Sequence, residues 1–141
     1  MNKRWLGIDH GNSRIGLAIS DELEMFAHPY RTLHAGGNVA TEIQSILKQE
    51  RIKGIVVGLP KNMDGTSGPS AESAKSFGQK LRQIVPEMKI VFWDERLTTR
   101  EAQRVLHTAG KNAKQSKEMI DQVAAQILLQ SYLDSLQWAN A

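Results

Sequence analysis

Acidic side chains stand at positions where they could do metal-assisted chemistry. Asp9 closes the apolar run Trp5-Leu6-Gly7-Ile8, and Asp94 and Glu95 close another, Ile90-Val91-Phe92-Trp93. Asp121 lies in a helical pattern and shares its azimuth with Ala124, Ala125 and Leu128, at i+3, i+4 and i+7. Carboxylates brought together at one edge repel each other, and at least one resists ionisation. A divalent cation removes that conflict, and all-oxygen donors suit Mg²⁺ or Mn²⁺. A carboxylate among alanines and leucines also needs a partner, because burying an unpaired charge is costly. Each acid has a plainer alternative. Asp9 could close an Asx-turn, Asp94-Glu95-Arg96 could be a helix cap with an ion pair, and Asp121 could simply pair with an arginine.

The elements that must position these acids can be read from periodicity. Trp5–Asp9 is one expected strand. Ile15, Leu17 and Ile19 alternate with Gly16, Ala18 and Ser20, the period-2 pattern of a second. The Asp9–Arg14 turn between them suits a hairpin. Met25–Leu33 is a third expected strand, and Pro29 places it at a sheet edge because proline lacks a ladder donor. Val39, Ile43, Ile46 and Leu47 then fall at helical spacing after Asn38, a candidate cap. Ile52–Leu59 is a short apolar strand, and Pro60–Gly68 a polar loop. Pro69 starts a second helix carrying Ala74, Phe77, Leu81 and Ile84, and Lys89–Trp93 is the strand that delivers Asp94 and Glu95. Thr98 with Glu101 forms a capping box for a helix ending at Gly110. Ser116 caps a last helix with Ile120, Val123, Ala124, Ile127 and Leu128 on one face. The order βββ-α-β-α-β-α-α predicts an α/β fold with a mixed sheet between helices. In such sheets the working crevice lies outside the carboxyl ends of the strands, where Asp9 and Glu95 stand.

Composition narrows the classes. The 141 residues suit a single domain, 1–141, and 40% hydrophobic residues suffice for a core. With no cysteine, a disulfide scaffold, a thiolate zinc site and a thiol nucleophile are excluded. No apolar run reaches membrane-spanning length and no signal peptide is apparent, so a cytoplasmic protein without membrane contact is expected. The net charge of +3 and pI near 9.3 are compatible with a polyanionic partner. Arg96, Arg100 and Arg104 recur every four residues along one helix face. Lys111, Lys114 and Lys117 cluster in the loop after it. Arg14 follows the Asp9 turn. Arg14, Arg96 and the three lysines are the candidate phosphate contacts; a solvated helix face and loop is the alternative. His10 neighbours Asp9 but is expected to point the other way, and His28, His34 and His107 are read as structural. Trp5 and Trp93 read as core.

Four blocks, "GIDHGNSRIGLAIS", "GLPKNMDGTSG", "FWDERLTTREAQRVL" and "KEMIDQVAAQILLQSYL", resemble in order the signature blocks of the YqgF family. That family is a Holliday-junction-resolvase-like branch of the ribonuclease H-like fold. The resemblance spans Leu6 to Leu133. It implies a five-stranded mixed sheet with helices on both faces, and a metal-dependent nuclease proposed to trim the 5′ end of precursor small-subunit ribosomal RNA. The family's acids fall on Asp9, Glu95 and Asp121. They would hold one or two Mg²⁺ or Mn²⁺ ions that activate water and stabilise charge on the phosphate oxygens. The chain departs from the junction resolvases where its fourth strand ends Gly58-Leu59-Pro60, without an acid. It departs again one turn after Asp121, where a fourth acid would stand and this chain has Ala124 or Ala125. The expected partner is structured or precursor ribosomal RNA. A DNA junction is the alternative substrate, and the protein could act as a monomer or homodimer. Two rival readings are a non-catalytic RNA-binding assembly factor and an actin-like ATPase, for which a single domain supplies only half a cleft.

Overall fold

The computed structural model describes residues 1–62, 64–97, 104 and 117–139. Five strands form one sheet: β1 (Arg4–His10), β2 (Arg14–Ser20), β3 (Ala27–His34), β4 (Ile52–Leu59) and β5 (Lys89–Asp94). Their order is β3-β2-β1-β4-β5. The first three make an antiparallel meander, while β4 and β5 add parallel to β1. Among the described residues, three α-helices flank the sheet: α1 (Val39–Gln49), α2 (Pro69–Ile84) and α3 (Lys117–Ala139).

Strand alternation sorts the side chains between two cores. Leu6, Ile8, Ile15 and Leu17 pack with Ile43 and Ile46 of α1 and with Ala74 and Leu81 of α2. Trp5, Ala18 and Val56 face the other way, onto Ala125, Leu129, Tyr132 and Leu133 of α3. Each fully buried leucine or isoleucine stabilises the fold by roughly 1.5–3 kcal/mol. Trp5 and Trp93 both meet Tyr132 edge-on, with ring centroids 4.9 and 5.3 Å away. Trp5 is the core residue expected; Trp93 is half-buried.

Close approach on the α3 side depends on glycine. A Cβ on Gly16 would lie 2.1 Å from the carbonyl oxygen of Asp121. The sequence suggests that the small side chains of Ala124 and Ala125 let this helix lie against the sheet. In the structure the strand supplies much of that room, with α3 backbone resting on bare β2 backbone. Gln126 and Gln130 then fasten α3 to the edge strand through the main chain of Ala27.

Several boundaries differ from expectation. The third strand begins at Ala27, not Met25. Met25 and Phe26 are exposed, and their N–H groups donate to the carboxylate of Asp21, which closes a turn instead. Pro29 does lie in an edge strand, beside a register shift opposite Leu17 and Ala18. Pro69 is at the start of α2. Asn38 precedes α1, but its side chain makes no capping hydrogen bond. The helix expected over Thr98–Gly110 lies outside the described residues except for Arg104, which is helical and exposed. Lys111, Lys114 and the Ser116 cap also lie outside them.

Candidate active site

Asp9 stands one residue before the end of β1, opposite Gly16 of β2 and on the α3 face. Glu95 follows β5 directly, in a short 3-10 turn, Glu95–Leu97. β4 lies between β1 and β5, so Glu95 reaches Asp9 only by passing over β4. Gly58 makes this possible. A Cβ there would lie 2.6 Å from Glu95 Oε1 and 2.8 Å from Leu128 Cδ2. The missing side chain at Gly58 is therefore the space that the Glu95 carboxylate fills.

The two carboxyl groups are joined by a hydrogen bond, donated by Glu95 and accepted by Asp9. Burial, the charge of Asp9, this hydrogen bond and the charge of Asp94 together push Glu95 from 4.5 up to about 8. Burial also raises Asp9, as does the nearby charge of Asp121, while the Glu95 hydrogen bond works against them. Near neutral pH the pair thus retains a proton.

Asp94 is the last residue of β5 and Glu95 the first of the 3-10 turn, and their carboxylates take different partners. Asp94 accepts hydrogen bonds from the Arg96 guanidinium, at 2.6 Å from Nη2, and this contact holds its carboxyl below the usual range. Arg96 also lies against Gly65, whose φ of +89° lets the loop turn. That loop is closed by Thr66, which donates to Asp64 through both N–H and hydroxyl. Sequence reasoning offered Arg96 as a phosphate contact; in the structure it joins Asp94 to the 60–68 loop.

Asp121 is one helical turn after Lys117, which is exposed at the start of α3. Its Oδ2 accepts from Arg14 Nε at 2.6 Å. This is the arginine pairing weighed as an alternative, and it engages a second residue read as a phosphate contact. Among the described residues, no three acidic or histidine side chains are grouped closely enough to hold a metal ion. The Asp9–Glu95 pair alone suits a hard divalent cation: two carboxyl groups in contact, both raised by burial, Asp9 also by the charge of Asp121 and Glu95 by that of Asp9, a conflict a cation would relieve.

His10 is on the face opposite Asp9, as expected, with its ring 4.7 Å from that of Phe77. Burial and the charge of Lys80 lower its pKa. His28 and His34 are exposed, the latter 3.2 Å from Glu118, so neither is part of a core; His107 lies outside the described residues. Two features escaped the sequence reading. Gly58 was visible only as a missing acid, and nothing local marks Arg14 and Asp121 as partners.

Replacing Gly58 by Ala tests the path of Glu95 across β4. The new methyl displaces the carboxylate and presses on Leu128, costing about 1–3 kcal/mol. Cleavage is expected to fall about 10²-fold, since misplacement of a reacting group by about 1 Å has that scale. Thermal unfolding and initial rates measure the two effects separately.

A five-stranded mixed sheet of this order, with acids at the carboxyl ends of β1 and β5 and on the last helix, is the ribonuclease H-like architecture. Two solved structures share it. The RuvC of T. thermophilus in complex with a Holliday junction substrate superposes with a TM-score of 0.65 at 12% identity, covering 98% of this chain and 97% of that one. The Fowlpox virus resolvase with junction DNA gives 0.61 at 12% identity, covering 94% and 98%. Those likenesses are of fold. The family is shown by sequence: the model for RuvX, described as Holliday junction resolvase, matches residues 3–135, and the chain belongs to that family. Membership places it among nucleases, hydrolases acting on ester bonds. A protein of Halalkalibacterium halodurans named "Putative pre-16S rRNA nuclease" is 45% identical, covering 95% of this chain and 98% of its own length. Proteins of the same name from Cereibacter sphaeroides and Bacillus thuringiensis are 42% and 41% identical, each covering 94% of this chain.

Proposed function

We propose that this protein is a metal-dependent nuclease that hydrolyses phosphodiester bonds in precursor small-subunit ribosomal RNA, near the 5′ end, in the cytoplasm. The observation that carries the reading is the hydrogen-bonded Asp9–Glu95 pair at the carboxyl edge of the sheet, in a chain 41–45% identical to relatives carrying the pre-16S rRNA nuclease name. Asp9, Glu95 and Asp121 are the groups that would hold Mg²⁺ or Mn²⁺. The ion would supply water activation and charge stabilisation at the phosphorus-bound oxygens. Asp9 presents its oxygens from β1 and Glu95 from the turn directly after β5, across the bare backbone of Gly58, so the sheet constrains their spacing. Arg14 and Lys117 stand on the Asp121 side, where a phosphate backbone can be followed; Lys111 and Lys114, shortly before Lys117 in the sequence, are assigned the same role, and Arg96 would share it only by giving up Asp94. No helix of the described residues is long and apolar enough to cross a membrane.

The deciding measurement is cleavage of labelled precursor 16S rRNA, single-stranded RNA and a four-way DNA junction, with Mg²⁺, Mn²⁺ or EDTA. Metal-dependent cutting that is strongest on the precursor supports the reading. Preference for the junction would transfer the activity to DNA. Salt-sensitive RNA binding without turnover under any metal would favour an assembly factor.

A further inference from the structure

Asp121 has two possible destinations, and the structure shows one of them. Its Cβ lies 3.0 Å from where a Cβ on Gly16 would be. Gly16 is directly opposite Asp9 in the antiparallel ladder. Side chains so paired have Cβ atoms about 4.5–5.5 Å apart, so the Asp121 carboxylate is within a side-chain rotation of Asp9. Instead it turns to Arg14, two residues before Gly16 on the same strand and therefore on the same face. The α3 backbone cannot move inward, because it already rests on Gly16. Any rearrangement here therefore falls to the side chains of Asp121 and Arg14, not to the α3 backbone.

We propose that Arg14 is an exchangeable counter-ion for Asp121. An incoming phosphodiester takes the guanidinium, and the released carboxylate turns toward Asp9 and Glu95 to complete the oxygen-donor set for a divalent cation. Arg14 is then a positioning residue that ties metal-site assembly to the presence of nucleic acid. This rests on the carboxylate reading of the site given above. One observation and two general properties of such pairs support it. The Arg14 and Asp121 side chains are 32% and 20% exposed, so an external phosphate can compete for the arginine. Partly exposed ion pairs contribute little to stability, and exchanging one is not costly. The guanidinium matches phosphate oxygens as well as it matches a carboxylate.

Coupling of this kind is reciprocal, so nucleic acid must tighten metal binding. The test follows Mn²⁺ binding to the full-length protein by the paramagnetic resonance of free Mn²⁺. It is run with and without a 12-nucleotide phosphorothioate RNA, after subtracting Mn²⁺ held by the RNA alone. Wild type is expected to bind Mn²⁺ on the order of tenfold more tightly with the RNA. Arg14→Gln is expected to bind more tightly than wild type without RNA and to gain little from it. Asp121→Asn is expected to gain nothing from the RNA, whatever its RNA-free affinity. An unchanged wild-type affinity on adding RNA overturns the proposal, and so does an RNA-induced gain that survives in Asp121→Asn. If Arg14→Gln lowers the thermal transition, the wild-type and Asp121→Asn arms decide without it. Mn²⁺ binding that is unaffected by Asp9→Asn is a different failure: the carboxylate site itself would then be wrong.

Discussion

Asp9→Asn is expected to abolish metal-dependent cleavage, by about 10²–10³-fold or more, while leaving the protein at least as stable as wild type. The two effects have one origin. Asp9 is held against Glu95 under burial that opposes its ionisation, with the charge of Asp121 adding to the cost. An amide keeps an acceptor for the Glu95 hydroxyl and removes the charge that burial disfavours. Stability should therefore hold or rise by about 1 kcal/mol, the scale of relieving a like-charge contact in a partly buried site. Catalysis loses a charged oxygen donor that a neutral amide does not replace. The check is a pair of measurements on one preparation: initial rates in Mg²⁺ or Mn²⁺, and the thermal transition in EDTA. A large loss of stability would mean that Asp9 is a structural carboxylate. An unchanged rate would remove it from the active site.

The second large effect is on the pH dependence of stability. In the folded state Glu95 ionises at about 8, against 4.5 for the ordinary group. Below pH 4.5 both folded and unfolded chains hold the proton, and pH has no leverage through this group. Between 4.5 and 8 the unfolded chain has released it and the folded chain has not. The folded state binds more protons, so stability falls as pH rises through this window and levels off above it. After allowance for solvent screening the loss is on the order of 1–3 kcal/mol. Thermal transitions measured in EDTA from pH 5 to pH 9 should decline for wild type and flatten in Glu95→Gln. Added Mn²⁺ should oppose the decline, because a cation binds the ionised carboxylates and its affinity grows as protons leave. A flat wild-type profile in EDTA would show that Glu95 is not held against Asp9 under burial.

Much of this architecture was legible because it depends on local chemistry. The alternation of Ile15, Leu17 and Ile19 with Gly16, Ala18 and Ser20 states which residues share a face, and the structure sorts them that way. Pro29 could not sit in a central strand, and it lies in an edge strand. Pro69 suits the first turn of a helix, and it opens α2. Where a local signal had a competitor, it misled. Met25 and Phe26 look like strand residues, but the Asp21 carboxylate captures their N–H groups and makes a turn.

What the chain by itself determines is the placing of acids at the ends of strands and on the inner face of a helix, together with the family to which that pattern belongs. Only the tertiary structure decides which acid meets which partner. Glu95 reaches Asp9 because β4 stands between their strands and carries glycine where the carboxylate must pass. Asp121 meets Arg14 across 107 residues of sequence because α3 lies directly on the bare backbone of β2. Neither contact leaves a local trace. Periodicity and capping act over a few residues, whereas the charge balance of the site depends on strand order and on how closely one helix can approach the sheet.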